Sequence, residues 1–472
     1  MSIFKDHFPR IGASGQSTGY TIDQSIRFND DNSSLMSRTP SQASSSQRAF
    51  TISFWTKRGN LTSGNRGLFA WEGANDNSEL RLYFDDNQLR YSYIDNNSYV
   101  SRLDTIKLFR DVSAWYHIVA VSDTENAVAT ERWKIYVNGV RETAFESTVY
   151  PSQNANIALF SSTSYLTVIG RTRSSSTSTY DGYLSEINVI DGYAYDPSYF
   201  GEFKTNTDIW IPKEYTGSYG NNGFYLKGQN SGALGNDSSG NDNDFSVTGL
   251  AAHDQVLDTP TNNFAVMNPL VTGNGSTVSQ ATYADGNLDV SRDSVSIADV
   301  PATISFPPSF KCYFEVYNKD GGDSGDDGNR FSILDENFLQ TGSVTYFVNY
   351  YVSGKTKSTE QTESSAVTVV ADGNIVGYAV DIAGGEVKVY IQGSLVKTFT
   401  IGSSYRSLNF FPASRLITLD SGFGRHIWNF GQEGTFSGNK TAQGNTDANG
   451  IGNFFYSPPS GFLALCSSNL GS

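Results

Sequence analysis

Cysteine is nearly absent from this chain of 472 residues, with Cys312 and Cys466 the only two. Two thiols so far apart in sequence cannot found a disulfide scaffold, and they make no zinc site. Both sit in apolar strand contexts and could lie close in space. Charge is scarce too, at 17% of residues, and the balance is acidic: 33 Lys and Arg against 48 Asp and Glu, a net −15. With no Lys/Arg cluster to offset it, this excludes a general nucleic-acid surface, because phosphate binding needs a basic field. Long hydrophobic runs are missing. No segment approaches a membrane span, and the opening MSIFKDHFPRIG has no apolar core of signal-peptide length. The expectation is synthesis in a cytoplasm, no membrane insertion, and action outside the cell only as part of a particle. Helical periodicity, coiled-coil heptads and collagen repeats are also lacking, which disfavours a long fibre shaft.

Histidine is rare. His7, His117, His253 and His426 are the four, and no pair has ligand spacing or a neighbouring nucleophile and acid. His117 lies inside an alternating strand and reads as structural. Among the carboxylates, Glu186 and Glu315 are best placed for a glycosidase pair. Strand alternation, however, points both away from the core, and a glycosidase needs two carboxylates converging in a cleft, one kept protonated by burial. No catalytic residue is assigned, and the chain reads as a non-enzyme.

What is abundant is aromatic and turn chemistry: 30 Phe, 27 Tyr and 45 Gly, with Asn, Ser and Thr throughout. That is the composition of extended strands joined by polar loops. Phe50–Trp55, Arg66–Trp71, Leu80–Phe84 and Leu89–Ile94 read as strands, the last two a hairpin across Asp85-Asp86-Asn87. Trp115–Ser122 and Arg132–Val137 follow, with Asn138-Gly139 a strong tight-turn signal. Tyr165–Gly170 and Tyr183–Ile190 complete a first set. In the other half the strands are Cys312–Tyr317, Val344–Tyr351, Ile375–Asp381 and Glu386–Ile391. The spacing predicts an all-β chain: two jelly-roll β-sandwiches joined by a structured, turn-rich connector. The expected boundaries are a docking arm at 1–20, a sandwich at 21–215, the connector at 216–270, and a second sandwich at 271–472. Phe224–Leu226 and Phe245–Val247, in the connector, could add edge strands to either sandwich.

The tract DGYLSEINVIDGYAYDPSYF at 181–200, with Trp115–Val119 and Trp133–Gly139, follows the order and approximate spacing of closing strands in laminin-G/concanavalin-A-like domains, which the first domain resembles. The second domain resembles SPRY domains through Tyr313–Val316, Gly377–Asp381 and Trp428–Gln432. The whole ordering, ending in PPSGFLALC, is similar to structural proteins of tailed bacteriophages, particularly marine ones infecting cyanobacteria and related hosts. That resemblance implies a virion component on the tail or capsid exterior: a fibre, tail appendage or receptor-binding protein. Its partners would be other virion proteins, copies of itself in a homo-oligomer such as a trimer, and a host-surface glycan. A purely structural decoration protein, or a carbohydrate-active hydrolase, are the alternatives.

Sugars stack on exposed aromatic faces and hydrogen-bond to Asn, Asp and Gln. The residues expected to offer that chemistry at loop rims are Trp71, Tyr91, Tyr93, Asn96, Asn97 and Tyr99 in the first sandwich. Tyr346, Tyr350 and Tyr351 are their counterparts in the second. The competing reading makes most of them core or cross-strand pairs. No organic cofactor is expected. A structural calcium ion is the one group entertained, since loops bearing Asp320, Asp323, Asp326 and Asp327, and Asp237, Asp242 and Asp244, supply oxygen ligands. Neither has the EF-hand spacing, and laminin-G-like domains support the idea by analogy only. The competing reading is a solvated, turn-rich acidic loop.

Overall fold

Alternating sequences become paired strands in both halves of the chain. The computed structural model describes residues 19–73, 78–175, 177–271, 281–292, 297–321, 329–341, 344–417 and 424–471. The architecture is all-β, two jelly-roll-like sandwiches, and the contacts divide between 17–261 and 262–472. Among the described residues the α-helical segments are the short Asn337–Thr341 and Ser467–Leu470, and no helix is long and apolar enough to cross a membrane.

In the first unit, one sheet runs in the order Val140–Arg141, Trp133–Val137, Trp115–Asp123, Ala49–Arg58, Gly182–Asp191, Ser25–Phe28 and Gln255–Val256. The facing sheet runs Phe145–Val149, Ser98–Leu108, Gln88–Asp95, Glu79–Asp85, Asn65–Glu72, Thr167–Ile169, Leu35–Arg38 and Ser246–Thr248. Ile52, Phe54, Leu82, Tyr91, Trp133, Leu184 and Val189 meet between them in one core. Phe224–Leu226 pairs with Gly182–Asp191, Ser246–Thr248 with Leu35–Arg38, and Gln255–Val256 with Ser25–Phe28. The expected connector therefore belongs to the first sandwich up to residue 261. Its Phe, Leu and Val supply edge strands, so the boundary lies later than composition suggested. The expected docking arm, apart from Gly19 and Tyr20, lies outside the described residues.

The second unit has one sheet in the order Thr282–Ala284, Asp289–Arg292, Gly424–Asn429, Lys311–Gly321, Ile375–Asp381, Glu386–Ile391 and Ser394–Thr400. Against it lies a five-stranded sheet: Ile297–Pro301, Phe410–Ile417, Arg330–Asp335, Phe347–Tyr351 and Thr356–Ser358. Phe314 stacks on Tyr378 at 5.1 Å and packs near Trp428 and Phe430, which explains why these aromatics recur in the strands. Cys312 and Cys466 are both buried thiols, and burial pushes both pKa values up, that of Cys466 to about 12.

Several strands depart from simple alternation, and two of them bear on the candidate carboxylates. Gly182–Asp191 is buried along its whole length. One side faces the core. The other is covered by a second cluster in which Val121, Ile190, Phe200, Tyr215, Tyr219 and Tyr225 pack together. Most of Lys311–Gly321 is likewise buried, its second side covered by the segment carrying Phe454 and Tyr456. Polar residues that alternation points outward are therefore enclosed.

Candidate functional site

The site begins at a turn. Asn138 and Gly139 join Trp133–Val137 to Val140–Arg141 with φ of 48° and 77°, the left-handed pair that a two-residue hairpin demands. Gly139 serves a second purpose. A Cβ there would stand 2.4 Å from the Trp210 ring, and one at Gly201 would stand 2.5 Å from it. Both glycines let the indole lie flat against backbone.

Trp210 opens the short strand Trp210–Pro212, which pairs with Gly201–Phe203. Its indole Nε1 donates to His117 Nδ1 at 3.0 Å, and the two rings lie nearly parallel, 21° apart. Phe203 meets the indole edge-on at 4.9 Å. The ring is thus fixed from behind and from the sides while remaining partly accessible. Tyr136, Phe203 and Trp210 wall a cavity of about 560 Å³, to which Asp196, Glu202 and Lys213 contribute exposed charged groups. Asp196 also caps the short turn Pro197–Tyr199, its Oδ1 accepting from the Ser198 amide at 2.8 Å. Beyond it runs a tyrosine ladder: Tyr193 on Tyr195 at 5.6 Å, and Tyr195 on Tyr199 at 4.2 Å. Tyr193 and Tyr199 are each 44% exposed and Phe203 49%, large values for aromatic side chains in a folded unit.

The residues expected at loop rims divide sharply. Asn96, Asn97 and Tyr99 are exposed, the asparagines forming a turn at φ of 48° and 62°. Trp71, Tyr91, Tyr93, Tyr346, Tyr350 and Tyr351 are buried, so the expectation of accessible ring faces is corrected for these six. The physical reason is packing within each unit. Tyr91 stacks on Trp133 at 4.0 Å and 10°, Trp71 meets Tyr165 edge-on, and Tyr346 packs on Tyr405 and Phe410. Tyr350 donates to the Thr368 carbonyl, and Tyr351 lies under the Arg330 guanidinium. Sequence reasoning missed Phe203, Trp210 and Tyr136. The available signal was the aromatic run from Tyr193 onward, read as a connection after the last strand and not as a surface.

Glu186 and Glu315 do not face solvent, contrary to alternation. Glu186 sits in a bulge of its strand at φ 52° and accepts from the Tyr225 hydroxyl at 2.6 Å and the Tyr20 hydroxyl at 2.9 Å. Burial raises its pKa against those bonds. Glu315 accepts from the amides of Phe455 and Tyr456, the Asn429 amide group and the Tyr313 hydroxyl, at 2.7–3.2 Å. Burial still pushes it up to about 7. Each carboxylate is committed to holding a covering segment in place, and the two belong to different sandwiches.

His117 is buried, and burial holds its pKa down at about 3. An indole N–H can only donate, so Nδ1 is the acceptor and Nε2 carries the proton toward Ser53 Oγ, 2.9 Å away. That tautomer cannot take a proton from Ser53. In the second unit Trp428 Nε1 donates to Ser414 Oγ at 3.1 Å, and the same hydroxyl oxygen lies 2.9 Å from His426 Nδ1. Ser414 and His426 are equally buried, and among the described residues no carboxylate bonds either histidine ring.

For calcium, the described residues contain no group of three or more His, Cys, Asp or Glu able to hold a metal ion. Asp237 accepts from the amides of Tyr225, Ser239 and Asn243, and Asp244 from the Asp237 amide, so these carboxylates brace their own loop. Asp323, Asp326 and Asp327 lie outside the described residues.

Residues 30–195 match the family model described as the Concanavalin A-like lectin/glucanases superfamily. The match covers less than half of the chain and applies to that segment. No curated protein matches the chain. Among solved structures, domains LG4-5 of the mouse laminin alpha1 chain are 9% identical, over 89% of this chain and 92% of that one, at a TM-score of 0.31. A heptameric SAP-like pentraxin from Limulus polyphemus is 18% identical over 37% of this chain and 78% of its own, at 0.26. The SPRY domain of human HERC1 is 8% identical over 30% and 87%, at 0.25. Likeness of this degree carries no functional argument.

Proposed function

We propose that the chain is a non-catalytic attachment protein whose first sandwich binds a surface glycan at the Trp210 cavity. The observation that carries this reading is a partly accessible indole fixed flat by His117, Phe203 and two glycines, with charged side chains around it. An aromatic plate of that kind takes the apolar face of a pyranose, and neighbouring carboxylate and ammonium groups bond its hydroxyls. The lectin/glucanase family match over 30–195 supports a sugar over other small ligands. We attach the protein to the exterior of a tailed-bacteriophage particle, as an oligomer such as a trimer, on the sequence ordering alone.

Two measurements test this. A glycan array probed with the full chain should give hits that Trp210→Ala removes while the unfolding midpoint stays within a few degrees. Hits unchanged in the variant would refute the site. Mass spectrometry of purified particles should recover the chain, and its absence would refute the virion assignment without touching the glycan reading.

A further inference from the structure

The aromatic surface continues beyond Trp210. Tyr193 and Tyr199 keep much of their area in solvent, yet both stand on fixed backbone. Thr51 Oγ1 accepts from the Tyr195 amide at 2.8 Å and donates to the Tyr193 carbonyl at 2.9 Å, which ties the tyrosine ladder to the strand Ala49–Arg58. Tyr215 packs beside Tyr195 at 5.9 Å, and the buried Phe200, next to Tyr199 in sequence, stacks on Tyr215 at 5.1 Å. Rings held in this way lose little rotamer freedom when a ligand covers them.

The ladder adjoins the cavity. Pro197 and Ser198 line it, and Tyr199 is the next residue. The Ser198 carbonyl accepts from Lys213 Nζ at 3.1 Å and the Phe200 carbonyl from the Lys213 amide at 3.0 Å. The turn carrying Tyr199 is thereby bonded to the residue that follows Trp210–Pro212. Gly201, which lies against the Trp210 ring, stands two residues beyond Tyr199, a backbone span of at most about 7 Å. The cavity's volume of about 560 Å³ falls within the roughly 300–1,000 Å³ that houses drug-sized ligands, which are larger than a single hexose.

We propose that the Trp210 site takes a linear oligosaccharide, with one sugar ring on Trp210 and a linked ring on Tyr199, so that affinity grows with chain length. The inference rests on reading the Trp210 cavity as a glycan site. Successive pyranoses of a linear glycan each present an apolar face, and two aromatic plates held on one short stretch of backbone match that repetition. Asp196, at the head of the turn that carries Tyr199, supplies a carboxylate for the hydroxyls of the linked rings. A ligand of one ring would cover Trp210 and leave the braced, exposed Tyr199 unused.

The full chain is titrated by calorimetry with linear homo-oligomers, from one residue up to five, of glucose, mannose, galactose and N-acetylglucosamine. In a series that binds through Trp210, affinity should rise about three- to tenfold between one residue and two or three, then level off. Tyr199→Ala should remove that rise while leaving the affinity for a single residue unchanged, and Tyr199→Phe, which keeps the ring, should preserve it. Trp210→Ala should abolish binding at every length. An affinity that stays flat from the shortest to the longest oligomer would overturn the chain-length proposal and leave the Trp210 reading standing. So would Tyr199→Ala weakening all lengths alike, the mark of a merely structural tyrosine. Absence of Trp210-dependent binding in every series would overturn both.

Discussion

Asp258 makes the first sandwich sensitive to a single charge change. Its side chain and that of Lys57 are both fully enclosed, with Nζ 2.7 Å from Oδ2. The other oxygen accepts from Trp115 Nε1 at 3.1 Å, and the Asp258 carbonyl accepts from Ser25 Oγ at 2.6 Å. The pair thus pins the end of this unit's chain to strands near its beginning. Burial lowers the Lys57 pKa, opposed by Asp258. Asp258→Asn keeps the shape and leaves the ammonium without its carboxylate. The attraction lost is about 6 kcal/mol at that distance and an effective dielectric of about 20. Part is recovered because Lys57 can shed its proton, so the expected cost is about 3–5 kcal/mol, a large share of the roughly 5–15 kcal/mol that holds a domain. Five of the six tryptophans, Trp55, Trp71, Trp115, Trp133 and Trp210, lie in this unit, so fluorescence in urea reports its unfolding. The variant should gain stability as pH rises, since a lysine with a lowered folded-state pKa is unfavourable wherever it stays protonated. The double variant Lys57→Met/Asp258→Leu should recover most of the loss. A single-variant cost below about 1 kcal/mol, or a double variant no better than the single, would refute the reasoning.

Other outcomes follow from the same geometry. Gly139→Ala places a methyl group in the Trp210 ring at a positive φ, so glycan-array signal should fall far more than the roughly 1 kcal/mol of stability lost in urea. Tyr91→Phe should be neutral or stabilising by about 1 kcal/mol, because that hydroxyl is buried without a hydrogen-bond partner, while Tyr91→Ala should cost about 3–5 kcal/mol; thermal unfolding distinguishes the two. Glu315, raised to about 7, contributes stability that is full below its unfolded-state value near 4.3 and is lost as pH rises through about 7. Urea midpoints from pH 4.5 to 7.5 should show that decline, and Glu315→Gln should flatten it. His117 and His426, each held near 3, contribute in the opposite sense, with stability lost as pH falls below about 6.5.

The strands were legible wherever alternation and a turn residue coincided. Ile375–Asp381 and Glu386–Ile391 fall where the sequence puts them, and Asn138-Gly139 makes the turn its composition requires. What stayed hidden is which faces acquire a second cover. Glu186, Asn188 and Glu315 alternate with apolar neighbours as solvent-facing residues do, yet tyrosine-rich segments far along the chain fold over them. The same blind spot misplaced the candidate site. Tyr91 and Trp71 carry the right chemistry for a sugar but point between the sheets, whereas Trp210 follows the last recognisable strand of its set and owes its placement to two glycines and a histidine distant in sequence. The carboxyl end of the first sandwich was hidden because Asp and Asn turns there look like a linker, while Asp237 uses its carboxylate to fold the turn back.

Pairing Ser25–Phe28 with Gln255–Val256 has a consequence for how the protein is made. The first sandwich closes by joining a strand synthesised at its start to one synthesised last, and Asp258 locks that seam. A ribosome must therefore finish the whole unit, and extrude it, before the sheet can be completed. Until then Ser25–Phe28, paired on one side with Gly182–Asp191, lacks its outer neighbour. Such long-range closure is slow relative to local hairpins and leaves strand edges unpaired in the nascent chain. The hairpins from Asn65 to Leu108, whose partners are neighbours in sequence, can form meanwhile and hold the unfinished half in register.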